Sequence, residues 1–379
     1  MNSELLSLRF TLHTFRGALP TIRISLLIKR PFTRTDSFKV RNMSIEPALC
    51  SMTCEECETT AAEYMCKNCP GYLCSECKTE HNRRKITRHH VIAPITGRKV
   101  RTLKRCLAEA PKQKACFETD LEYQLGVRCI SSSKIVVFGN DPRILVIDKK
   151  GQSQTSIITD TEVSPDGMAI LPDSSILYSD VETRRILVVT GSGESQTLVS
   201  TDWSPSGLCV TQSGSILVGL FHHDPLYEVD QVGKVEEYTV SGNKVREILG
   251  EDQKLYSRPE HITENFNGDI IVSDYNLKKI TAVDAHGHFR FSYLGVAKNK
   301  SYQFLPMDID TDTLGHVIIA DQFRHSIHVI DKDGAFVRLL LTEEAGIKEP
   351  HGLCFDGVDS IWVAELESKL VKKFKILEK

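Results

Sequence analysis

The densest run of chemistry-bearing side chains in this 379-residue chain is Cys54-x2-Cys57-x8-Cys66-x2-Cys69-x4-Cys74-x2-Cys77-x3-His81-x7-His89, eight sulfur or imidazole donors within 36 residues. A C-x-x-C pair lets two thiolates approach one ion at about 2.3 Å, and four nitrogen or sulfur donors complete the tetrahedron that structural zinc prefers. Eight donors predict two zinc ions. Disulfides, a redox C-x-x-C or an iron–sulfur cluster would leave both histidines without a role. So few residues bury little apolar surface, so the metal has to supply the folding free energy. Closed coordination leaves no position for an activated water, and the expected chemistry is docking rather than hydrolysis.

These residues resemble the B-box zinc finger of the tripartite-motif family over about Cys54 to Ile95, with Cys57 standing where many members carry histidine. The resemblance implies a cross-brace. Cys54, Cys57, Cys74 and Cys77 would hold one zinc, and Cys66, Cys69, His81 and His89 the other. His90 is the adjacent alternative; the family's last ligand sits one residue before a hydrophobic pair, which implies His89. After the module, Arg98 to Arg105 with Val100, Leu103 and Leu107 at a/d-like spacing predicts a short basic helix that Pro111 stops. That is far short of the three to four heptads a coiled coil needs, and no cysteine-rich RING precedes Cys54. Both departures from the family's pattern argue against intrinsic ubiquitin-ligase activity and for a monomer.

Charge divides the chain at Cys116, with a net +11 before it and −14 from it onward. An acidic second part repels phosphate backbones on average, which favours a protein partner over nucleic acid. The longest apolar runs, such as 135–138, fall far below the roughly 18 residues of a membrane-spanning helix. Residues 1–42 hold eight Lys and Arg against Glu4 and Asp36, a composition like that of a mitochondrial presequence. The expected reading is a basic extension with Met43 as the working start and a cytoplasmic protein; a genuine presequence would direct it to mitochondria instead.

The remainder repeats. Five segments align at Pro165, Pro205, Pro259, Pro306 and Pro350, and fifteen residues after each proline an apolar run ends at Asp180, Leu220, Asp274, Asp321 and Glu365. A degenerate copy precedes them, with Leu125 and Asn140 at the two positions. Spacings of 40 to 54 residues, filled by short Val- and Ile-rich runs between Gly, Asp and Asn, predict propeller blades. The pattern resembles the NHL repeat, which implies an all-β fold: one six-bladed NHL-type β-propeller over 117–379, behind a zinc module at 50–95 and a basic linker or helix at 96–116. The Gly-His and Trp-Asp dipeptides of WD40 repeats do not recur. The last copy runs out of chain before a fourth strand, so Phe117 to Tyr123 is expected to pair beside it and close the ring.

Loops between the second and third strands of each blade are the expected contact surface. They carry Phe221, His222, Tyr275, Lys278, Phe323 and Arg324 as candidate partner-binding residues. Cations on the same loops, such as Arg143 and Arg185, leave RNA binding of the kind implied by some tripartite-motif relatives as an alternative. Glu260, His261, Asp308 and His351 are candidate inner residues, but their offsets from their prolines differ and do not demand convergence on one ion. No nucleophile elbow, metalloprotease helix or phosphate loop appears. The expectation is a zinc-binding adaptor: the propeller captures one protein and the B-box a second, from the ubiquitin system in one version, where the chain is a substrate receptor serving a separate ligase.

Overall fold

The computed structural model describes residues 105–378, except 132–133, 149–150, 152, 161, 190–192, 223–231, 250–254 and 297–302, together with Tyr64–Cys66, Gly71–Leu73, Lys78 and Ile92–Pro94. By packing, the chain divides into two units, 1–100 and 101–379. In the first, Tyr64–Cys66 pairs antiparallel with both Gly71–Leu73 and Ile92–Pro94, forming a three-stranded sheet. The candidate ligands Cys54, Cys57, Cys69, Cys74, Cys77, His81 and His89 lie outside the described residues.

The second unit is a ring of six four-stranded antiparallel sheets, which is a six-bladed β-propeller. The innermost strands are Gln124–Cys129, Met168–Ile170, Ser204–Val210, Pro259–Glu264, Pro306–Thr311 and Pro350–Phe355. In four of the five copies the proline and the residue fifteen positions on prove to be cross-strand neighbours: Pro205 pairs with Leu220, Pro259 with Asp274, Pro306 with Asp321 and Pro350 with Glu365. That register explains the constant offset of fifteen. The acid also closes the blade's upper end. Asp274 accepts the Ser257 amide at 2.7 Å and the Leu277 amide at 2.9 Å, Asp321 accepts that of Leu305 at 3.2 Å, and Glu365 that of Lys348 at 2.8 Å. In the degenerate copy Asn140 does the same for Tyr123 at 3.2 Å.

Second strands such as Ile270–Asp274 and Val317–Asp321 are buried on both faces, as their unbroken apolar text requires. Six hydrophobic clusters fill the six gaps between neighbouring blades. One of them joins the first blade to the last, packing Val127, Ile135 and Val137 against Trp362, Ala364 and Val371.

The ring closes with a strand drawn from before the first blade, but a longer and earlier one than Phe117 to Tyr123. Cys106–Glu118 pairs antiparallel with Leu370–Glu378, in the register Val371 to Phe117 and Glu378 to Cys106. Residues 106–116, expected to be a linker or the end of a basic helix, are therefore strand. Their pairing with the last blade outweighs a weak local helical pattern. Pro111 does not stop the element, because it lies on an outer edge strand at a register shift, where no ladder donor is needed.

Candidate functional site

Loops joining the second and third strands share one construction in blades two, four, five and six. The acid at the end of the second strand accepts an amide three residues on: Thr183 to Asp180 at 2.9 Å, Leu277 to Asp274 at 2.9 Å and Arg324 to Asp321 at 3.4 Å. The next residue is left-handed in four blades, at Arg184, Lys278, His325 and Lys369, with φ of 55°, 52°, 47° and 60°. A non-glycine residue held there is strained. The strain is sustained by the acid beneath it, so these loops are rigid platforms.

On those platforms Tyr275, Leu277 and Phe323 stand 37%, 40% and 45% exposed, on the corresponding loops of blades four and five. His222 is exposed and meets Trp203 edge-on with centroids 5.9 Å apart. Phe221 is only 3% exposed and packs beneath the Arg258 guanidinium at 5.0 Å, so it supports the surface rather than forming it. The same guanidinium lies 5.2 Å from the Tyr275 ring and 2.7 Å from Glu260. Lys278 donates to Gln303 at 2.8 Å, and Arg324 to the Val296 carbonyl at 2.8 Å. Two further loop cations are held by acids, Arg143 by Asp141 and Asp120 and Arg185 at 3.5 Å from Asp160, while Arg184 donates to the Asp202 carbonyl at 3.1 Å. Sequence reasoning missed Arg258 and Leu277. Arg258 was findable, since it directly precedes a repeat proline and so enters the innermost strand at the loop face.

The innermost strands bring together more than their unequal offsets suggested. Arg128 of blade one reaches Asp308 of blade five with two hydrogen bonds, at 2.5 and 3.1 Å. It also donates to the carbonyls of Met168 in blade two at 2.9 Å and Leu353 in blade six at 3.1 Å. His261 Nδ1 lies 3.3 Å from Asp308, and its ring meets that of His351 at 6.1 Å. His351 Nδ1 donates to the Leu125 carbonyl at 2.7 Å, which fixes its tautomer. Burial acts to raise the Asp308 carboxyl, but Arg128 and His261 prevail and hold it well below the usual range. Burial is opposed by Arg258 at Glu260, which is also lowered. Burial, with His261 beside it, takes the His351 imidazole down to about 4. Asp166 shows the opposite: burial and the Glu260 charge push it up to about 7.

Glu260, His261, Asp308 and His351 are thus neighbours, yet both carboxylates are already committed to guanidinium groups. Among the described residues, no group of three or more His, Cys, Asp and Glu side chains is arranged to hold a metal ion.

No family model matches the chain, and no curated protein matches it. Solved structures do resemble it. A candidate gluconolactonase aligns with a TM-score of 0.55 at 14% identity, covering 71% of this chain and 93% of that one. A protein of unknown function from Bacteroides thetaiotaomicron aligns at 0.53 and 16%, covering 71% and 72%. A streptogramin B lyase aligns at 0.50 and 16%, covering 70% and 98%. At these identities the likeness is one of fold.

Proposed function

We propose that this chain is a two-part binding adaptor, in which the propeller's loop face captures a protein partner and a zinc-held B-box-type module engages a second protein. The observation that carries the reading is the exposed apolar set Tyr275, Leu277 and Phe323, mounted on loops whose backbones are locked by buried acids. Rigid aromatic side chains on a preorganised scaffold contribute large contact area with little ordering cost. Protein is favoured over RNA because Arg143 and Arg185 are paired with Asp141, Asp120 and Asp160 and the chain from Cys116 onward carries a net −14. A binding role is favoured over catalysis because guanidinium groups occupy the carboxylates that would otherwise act.

The donor set of the first unit fits zinc, and its sheet supports the pairing of ligands. The registers Cys66 with Gly71 and Cys66 with Ile92 put three strand ends together at one end of the sheet. The segments joined to those ends carry Cys69 and His89. At the other end Tyr64 stands beside Leu73, which Cys74 follows. The cross-brace that the B-box resemblance implies, with Cys66, Cys69, His81 and His89 on one ion and Cys54, Cys57, Cys74 and Cys77 on the other, agrees with that division at Cys66, Cys69, His89 and Cys74. Bound zinc would supply folding free energy and no reaction.

Proximity labelling in cells with the intact chain and with a Tyr275→Ala/Phe323→Ala variant tests the loop face. A defined set of proteins labelled by the first and lost from the second, with unchanged thermal stability, is expected. An identical labelled set from both would overturn this assignment of the surface.

A further inference from the structure

Outside the zinc-type cluster, three cysteines share one place in the repeat. Cys129, Cys209 and Cys354 each lie four residues after the marker position, at Leu125, Pro205 and Pro350. They fall in blades one, three and six, and only blades one and six are neighbours once the ring closes. There the backbones approach closely: a Cβ placed on Gly352 would stand 2.6 Å from Gly126 Cα. The Cys129 amide donates to Cys354 Sγ at 3.1 Å, which places the two residues side by side across the seam. Both are free thiols; Cys129 is half-buried and Cys354 is 5% exposed.

We propose that Cys129 and Cys354 are a reversible disulfide site, closed by small-molecule disulfides such as oxidised glutathione, that staples the first blade to the last. The Cys129 thiolate attacks one sulfur of the oxidant, forming a mixed disulfide and expelling one equivalent of reduced thiol. Cys354 then gives up its proton and attacks Cys129 Sγ, expelling the second equivalent. Two protein thiols are oxidised and one small disulfide is reduced to two thiols. The adjacent Cys129 and burial push the Cys354 thiol up, and Cys354 is buried while Cys129 is half-buried, so Cys129 is the sulfur that meets the oxidant and Cys354 the one that resolves it. The staple crosses the one seam where no continuous chain joins neighbouring blades except through the closing strand. It therefore restrains opening of the ring, and cross-linking residues this far apart in sequence restricts the unfolded chain strongly.

The test is peptide mapping under non-reducing conditions of the full chain after incubation with oxidised glutathione, with thermal unfolding read in parallel. A Cys129–Cys354 cross-linked peptide is expected, with a midpoint several degrees above the reduced protein that dithiothreitol reverses. Cys129→Ser and Cys354→Ser should each remove the peptide and the shift, while Cys209→Ser, at the same repeat offset but in blade three, should leave both. The mapping of the unsubstituted chain decides even where a serine variant folds poorly. Glutathione retained on Cys129 with Cys354 still alkylatable, or a cross-link that appears only in urea, would overturn the proposal.

Discussion

Removing Arg128 or Asp308 alone should destabilise the propeller far more than removing both together. Arg128 bonds blades one, two, five and six, and Asp308, with 1% of its side chain exposed, also accepts the Leu353 amide at 2.8 Å. Truncating either partner leaves a buried charge without its counter-charge, which costs about 3–5 kcal/mol. Arg128→Met combined with Asp308→Leu removes both charges while keeping volume, and should lie within about 2 kcal/mol of the unsubstituted chain. The expected coupling is therefore at least about 3 kcal/mol. Urea unfolding read by tryptophan fluorescence isolates the propeller, because the chain's two tryptophans, Trp203 and Trp362, both lie in it. The Asp308 carboxyl is lowered on folding, so its contribution is fully present above the unfolded value near 4 and is lost as pH falls through the folded value. In Arg128→Ala burial is left to raise that carboxyl, so the deficit should be larger at pH 8 than at pH 5, where protonation relieves the uncompensated charge. Single-variant losses below about 1 kcal/mol, or losses that simply add in the double variant, would refute the reasoning.

Asp274→Ala strands the amides of Ser257, Arg258 and Leu277, at about 1 kcal/mol each, and should cost about 3 kcal/mol in the same unfolding assay; a loss under about 1 kcal/mol would deny the acid its role in closing the blade. Asp166 is raised to about 7 in the fold, so its stabilising contribution exists below the unfolded value near 4 and disappears as pH rises through 7. Asp166→Asn should therefore be more stable than the unsubstituted chain at pH 8 and equal to it near pH 4, whereas a difference independent of pH would contradict the assigned burial.

The ring was legible in the text because its strongest signal is geometric. Proline and acid recur at fifteen residues where they are cross-strand partners, and in the copy carrying Leu125 and Asn140 the asparagine still accepts the amide two residues before the marker. Closure was legible only in part: a missing fourth strand in the last copy called for one from upstream, but Pro111 and a weakly helical stretch masked its start at Cys106. Pairing with a distant strand is invisible to local propensity. The candidate site divides along the same line. Tyr275 and Phe323 are exposed as the loop pattern suggested, whereas Phe221 is buried by Arg258 from the next blade, a contact no single repeat encodes. Arg128, Asp308 and His261 meet across the ring because side-chain length compensates for unequal offsets, which aligned positions do not reveal.

The most direct measurement is the zinc content of the purified chain, prepared without chelators or oxidants, beside that of a Cys74→Ala variant. About two ions per chain are expected, with clear loss in the variant, as for two closed four-donor sites that include Cys74. A metal-free chain that remains folded over residues 54–89, or a zinc count unchanged by Cys74→Ala, would contradict the two-part adaptor.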